Sequence, residues 1–151
     1  MVKVGDVFYM DTNKGRAYLQ YIKRVEKFGW MIRVFSGFYT ENYPDAAEIS
    51  KSPVAFLTFY PIFSAVRQKL AHKVGHVPLD AESQKIPIFR YGIPNLRTGK
   101  VSVWCFWDGE KEWAVENITD EQRKLPIKWI MNYQFLKEMI EDEWRPEKWL
   151  W

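Results

Sequence analysis

The sequence predicts an α+β fold, with a β-rich body over residues 1–116 and a helical end over residues 117–151. Two patterns carry that expectation. Short runs of β-branched and aromatic residues, punctuated by Gly, Asn, Asp and Pro, fill the first three quarters of the chain. Apolar residues then switch to helical spacing at Phe135, Leu136, Met139, Ile140 and Trp144. A chain of 151 residues that is 47% hydrophobic can bury a sizeable core as one domain, 1–151.

Residues 6–10 read as a first strand. The cluster Asp11-Thr-Asn-Lys-Gly-Arg16 makes a turn, with Gly15 free to take positive φ. Residues 17–25 and 30–35 follow as strands separated at Lys27-Phe-Gly29, which completes a three-stranded meander. Residues 36–53 are irregular and hold Gly37, Pro44 and Pro53, with one helical turn expected over 45–49. Residues 54–60 are apolar on both faces, as in a strand buried on two sides or a barrel stave. Residues 62–71 fit either strand or helix, and residues 74–78 look like a turn into a short extended piece. Pro87 holds residues 86–91 at a sheet edge. Residues 101–107 alternate, Asp108-Gly109 signals a two-residue turn, and residues 112–115 return beside them. Both faces of 101–107 are apolar, so this strand is expected at the centre of its sheet. Thr119 and Gln122 have capping-box spacing, Pro126 stops that helix, Asn132 caps the next, and Pro146 ends it.

Charge is unevenly spread. Residues 1–107 hold 15 Lys and Arg against 8 Asp and Glu, whereas residues 108–151 hold 7 against 11. A basic body with an acidic end can steer partners of opposite sign. A single Cys, Cys105, excludes an internal disulfide framework and lies in an apolar strand, where a buried thiol is expected. The N-terminus has no apolar stretch of signal-peptide length, and no run approaches a membrane span, which fits a cytoplasmic setting.

No catalytic, cofactor or metal constellation emerges. His72 and His76 have the spacing of a helical ligand pair, but Gly75 and Pro78 argue against a helix there. The carboxylates of Asp120-Glu121 and Glu141-Asp-Glu143 are adjacent, whereas a glycosidase needs them opposed across a cleft. No Gly-x-Ser-x-Gly elbow or Gly-rich phosphate loop is present, and an apolar strand is a poor place for a reactive thiol. Nucleic-acid binding is the second expectation, through Arg16, Lys23, Arg24, Lys27 and Arg33 on strands of 16–33, where aromatic residues interleave with scattered cations. With 17% aromatic residues and no assembled chemistry, the composition leans toward a protein that binds a partner.

A series of motifs resembles the bacterial immunity protein 26 family. Val4-Gly-Asp-Val-Phe8 and Gly15-Arg16-Ala-Tyr18 come first, then Phe59-Tyr-Pro-Ile-Phe63 and Val74-Gly-His-Val-Pro-Leu79. Ile86-Pro-Ile-Phe-Arg90, Trp107-Asp-Gly109 and a short helix near Thr119 complete it, so the match runs from about Val4 to Leu125. The resemblance implies a strongly bent, mostly antiparallel β-sheet or partial barrel with a C-terminal helix packed on it. It further implies a non-catalytic protein without cofactor or metal, which neutralises a cognate toxin, such as a nuclease, inside the producing cell. The Trp-rich end beyond Leu125 departs from the family. An inhibitor of a nuclease would offer carboxylates to its basic phosphate path. Glu138, Glu141 and Asp142, with Trp144, Trp149 and Trp151 beside them, are therefore the expected partner-binding residues.

Overall fold

The computed structural model describes residues 1–40 and 45–149. The fold is α+β, with two antiparallel sheets and a helix near the C-terminus. The chain forms two compact units, one of Met1–Lys85 with Ile130–Trp144, the other of Ile86–Trp129 with Arg145–Trp151. The named strands end at Glu116 and helical elements follow, and residues after 116 contribute to both units. Among the described residues no helix is long and apolar enough to cross a membrane.

The first unit is built on a five-stranded sheet. Its strands are β1 (Asp6–Thr12), β2 (Gly15–Val25), β3 (Gly29–Phe35), β4 (Val54–Phe59) and β5 (His72–His76), in the order β4-β3-β2-β1-β5. The meander of the first three strands is as expected, and Gly15 opens β2 at a φ of 123°. Central β2 is buried continuously from Ala17 to Ile22. Register shifts at Val7/Phe8, Tyr21/Lys23 and Val34/Phe35 add local twist, and the sheet curls without closing into a barrel.

Two expectations change here. Residues 54–59 form β4, an edge strand whose first residue, Val54, is 44% exposed. Its two apolar faces have separate causes: Phe56 meets the Trp144 ring at 5.2 Å, and Phe59 meets Phe28 at 4.5 Å. Residues 72–76 form strand β5, so extended structure begins before residue 74, where a turn into a short extended piece was expected over 74–78. The ambiguous segment resolves as helix α2 (Ile62–Arg67), and the helical turn expected over 45–49 is present as helix α1 (Ala46–Ser50), capped by the Asp45 side chain.

Helix α3 (Tyr133–Glu141) belongs to the same unit. The Asn132 side chain accepts the Phe135 N–H at 2.8 Å, as the sequence suggested. At the other end Glu143 takes the left-handed conformation. The Glu143 N–H donates to Ile140 and the Trp144 N–H to Met139, the two bonds of a Schellman stop. Leu136, Ile140 and Trp144 face the core.

The second unit holds strands β6 (Phe89–Gly92), β7 (Val103–Trp107) and β8 (Glu112–Glu116), with β7 central as predicted. The connection after β7 is longer than expected: Trp107 pairs with Glu112, which leaves four residues in the loop. The reason is Asp108, whose carboxylate takes the N–H groups of both Glu110 and Lys111 and rounds the turn out. The Thr119–Gln122 capping box is present with both reciprocal bonds, but Pro126 limits it to a 3-10 turn, Gln122–Lys124.

Strand β5 passes α1 so closely that a Cβ on Gly75 would lie 2.7 Å from the Ala46 Cβ. Gly75→Ala is expected to destabilise the protein by about 1–3 kcal/mol through this clash. The double variant with Ala46→Gly should recover part of that loss, as urea unfolding of the three variants would show.

Candidate interaction surface

The sequence placed its candidate residues on and beyond α3, and the structure sorts them. Glu138 is exposed and accepts a hydrogen bond from the Gln134 side chain at 2.9 Å. Asp142 is exposed and is the C-cap of α3. Glu141 is half-buried: it accepts the Asn13 N–H of the β1–β2 turn at 2.6 Å and lies 3.8 Å from the Lys137 ammonium. It therefore fastens the helix to the hairpin, a structural duty the sequence did not reveal. Trp144 is corrected more strongly. At 7% exposure against Phe56 it is a core residue and offers no surface to a partner. Trp149 lies in the second unit, half-buried and edge-on to Trp129 at 4.9 Å. Trp151 falls outside the described residues.

What remains on α3 is an anionic end. Glu138, Glu141, Asp142 and Glu143 crowd its last turn and stop, and no basic residue sits in that last turn. A helix C-terminus already carries partial negative charge from its unpaired carbonyls, so each added carboxylate there costs about 0.3–1 kcal/mol. The sequence breaks a local stability rule repeatedly at one place on the surface.

The basic strands make a poorer platform. The Arg16 guanidinium lies 3.9 Å from the centre of the Tyr9 ring and pairs with Asp11 at 3.1 Å. Arg33 donates to Gln20 and faces Phe35, and Arg24 lies over Trp30. These cations are engaged by their own sheet and spread along its strands.

Both histidines sit on β5 with neighbours of their own. His72 stacks on Tyr9 at 4.8 Å, and His76 Nδ1 lies 2.8 Å from the Asp6 carboxylate. Asp6 is wholly buried, receives the Lys3 N–H at 2.8 Å, and has the Lys73 ammonium at 3.3 Å. Sequence reasoning missed this cluster, although a carboxylate opening an apolar strand was its visible sign. Cys105 is half-buried, where a buried thiol was expected, because its cross-strand neighbour on β8 is the small, exposed Ala114. On its other side Tyr91 is pushed up to about 12, first by the Cys105 thiol and then by burial and Glu112.

A cavity of about 270 Å³ in the first unit is lined by Tyr60, Ser64, Gln68, Leu70, Asn132 and Tyr133, among others. Burial, with Tyr133 beside it, pushes Tyr60 up to about 12, so it stays a neutral phenol. The lining offers hydroxyl and amide groups without carboxylate or imidazole, a set suited to holding a group more than to moving its protons. No family model, no curated protein and no solved structure matches the chain.

Burial of Asp6 opposes its ionisation, but the Lys3 N–H, His76 and Lys73 outweigh it and hold the carboxyl below its ordinary value. A depressed folded pKa contributes stability above the unfolded value of about 3.9, lost as pH falls through the folded one. Asp6→Asn is expected to cost about 2 kcal/mol at neutral pH. That gap should narrow steadily below about pH 4, as urea midpoints across pH would record.

Proposed function

We propose that this chain is a non-catalytic binding protein of the immunity type, which neutralises a toxin in the cytoplasm of the cell that makes both. The observation that carries the reading is the anionic end of α3, where carboxylates accumulate against the helix dipole. Such a patch lowers the stability of the free protein and gains only when a cationic surface covers it. A nuclease presents that surface along its phosphate path. Facing carboxylates would speed association and reject uncharged competitors. The ordered motifs from Val4 to Leu125 that resemble the immunity protein 26 family support the same class. Glu138 and Asp142 are the contact residues in this reading. Glu141 holds the helix in place for them, and Trp144 packs beneath it.

The reading makes opposite predictions for folding and for binding. Glu138→Lys with Asp142→Lys places cations at the negative end of the helix, so stability should hold or rise by about 0.5–1 kcal/mol. The product of the adjacent gene should form a 1:1 complex with the native chain, and this double variant should bind it at least about tenfold more weakly. Calorimetric titration against that product measures the second effect and thermal unfolding the first. No complex at micromolar concentration would remove the immunity role, and unchanged affinity would remove α3 from the contact.

A further inference from the structure

The second unit presents an open sheet edge with an unusual composition. The two edges of its sheet differ. On the β6 side, the Arg90 N–H donates to Pro126 at 2.9 Å and the Lys128 N–H to Arg90 at 2.8 Å, so the segment around Ile127 covers that edge. On the other side lies β8. Among the described residues, the backbone of β8 makes no hydrogen bond or bridge outside its ladder with β7. Unpaired N–H and C=O groups along such an edge are a template for another strand.

Side-chain placement on β8 adds to this. Trp113 and Val115 lie opposite Phe106 and Trp104, which are buried at 3% and 2% exposure. The row that faces the core on β7 thus continues onto β8, yet Trp113 is 39% exposed, because β8 ends the sheet among the described residues. Trp113 touches Phe106 edge-on at 6.2 Å and keeps part of its indole in solvent. On the opposite face Glu112 and Glu116 flank Ala114: Glu112 is paired with Lys128 and accepts from the Tyr91 hydroxyl at 3.3 Å, whereas Glu116 is exposed at the outer edge. Residues 108–121, which contain the whole strand, carry six Asp and Glu against one Lys.

We propose that β8 is a docking edge for an extended, basic segment of a protein partner, which adds to the sheet as a fourth strand. The partner strand supplies a Lys or Arg opposite Glu116, and a second cation four residues further along lies beside the Glu112–Lys128 pair and adds little. Apolar residues between them cover Trp113 and Val115 from the other face. Main-chain bonds along β8 supply affinity, and the Glu116 carboxylate with the tryptophan supplies specificity. A second copy of this chain is a poor occupant. Antiparallel pairing of two β8 strands about Ala114 would set each Glu112 opposite a Glu116, two like-charge pairs directly across the new ladder. This deepens the immunity reading and rests on it for the partner being basic, while naming a contact on an element separate from α3.

A synthetic peptide tests the edge without the natural partner, so the two readings can fail separately. The probe is capped Thr-Lys-Val-Thr-Val-Lys-Thr, and its control has the same sequence with alternate backbone nitrogens methylated, of equal charge but unable to pair. Added to the full 15N-labelled chain, the probe is expected to shift and protect the amides of residues 112–116. The methylated control and a Glu116→Lys chain should each weaken binding at least about tenfold. Three results of this titration overturn the proposal: shifts centred elsewhere, equal binding of the methylated control, or no binding at all. The last would mean that the carboxylates serve only to keep edges apart. A concentration-dependent dimer that loses its exposed Trp113 fluorescence would overturn it as well, by making a second copy the occupant.

Discussion

Two buried polar side chains, Asp6 and Gln20, determine where the strands of the first unit stand. Gln20 has no exposure, and its amide donates to the carbonyls of Gly5 and Val77 while its oxygen accepts from Arg33. Asp6 gathers the Lys3 N–H, His76 and Lys73. Between them these residues join β1, β2, β3 and β5 by side-chain bonds in addition to the ladders. A buried amide or carboxylate left without these partners costs more than an apolar residue in its place. The network therefore tolerates one register, the one in which β5 lies beside β1 and not against another edge. The close pass of Gly75 over Ala46, and with it the seat of α1, follows from that placement.

The second unit solves a similar problem with a cation. Arg90 is fully buried, lies 4.3 Å from the Trp104 ring, and donates through one nitrogen to the carbonyls of Arg123 and Pro146. Burial, and Arg123 after it, push its pKa down to about 10, which still leaves it charged at neutral pH. Two carbonyl oxygens and an aromatic face replace the carboxylate that a buried guanidinium usually finds. Those carbonyls belong to the 3-10 turn after β8 and to the segment beginning at Pro146. The side chain thus connects β6 to both, although Arg90 reads in the sequence as one more residue of an extended edge piece.

What was legible in the sequence is what neighbours decide. The meander, the Asn132 cap and the Thr119–Gln122 box each depend on residues a few positions apart, and the structure has them where the pattern put them. The edge position of β4 was hidden because its two apolar faces answer to Trp144 and to Phe28, one of them some 88 residues further along the chain. Strand β5 was hidden because it is short and polar, and its pairing is set by Asp6, about 70 residues earlier. The same limit applies to the candidate surface. Helical spacing placed Glu138 and Glu141 on one flank of α3, but only the fold brings the Asn13 N–H to Glu141 and turns Trp144 inward.

Separating carboxylates held by backbone N–H groups from those that are not changes what the acidic residues mean. Asp6, Asp108 and Glu141 are held by N–H groups, and each has a structural reason to be acidic. Glu138 and Asp142 stand at the end of a helix whose dipole disfavours them, and Glu116 flanks an edge strand whose tryptophan is partly exposed. Local stability does not explain the helix end, where neutral or basic residues would serve better, whereas a charge on an edge strand also keeps other edges away. Sequences that contradict their own local preferences do so chiefly at functional sites. Carboxylates thus stand at the end of α3 and on the edge of β8 in a chain whose net charge is +3, and under the proposed reading a basic partner is what both would meet.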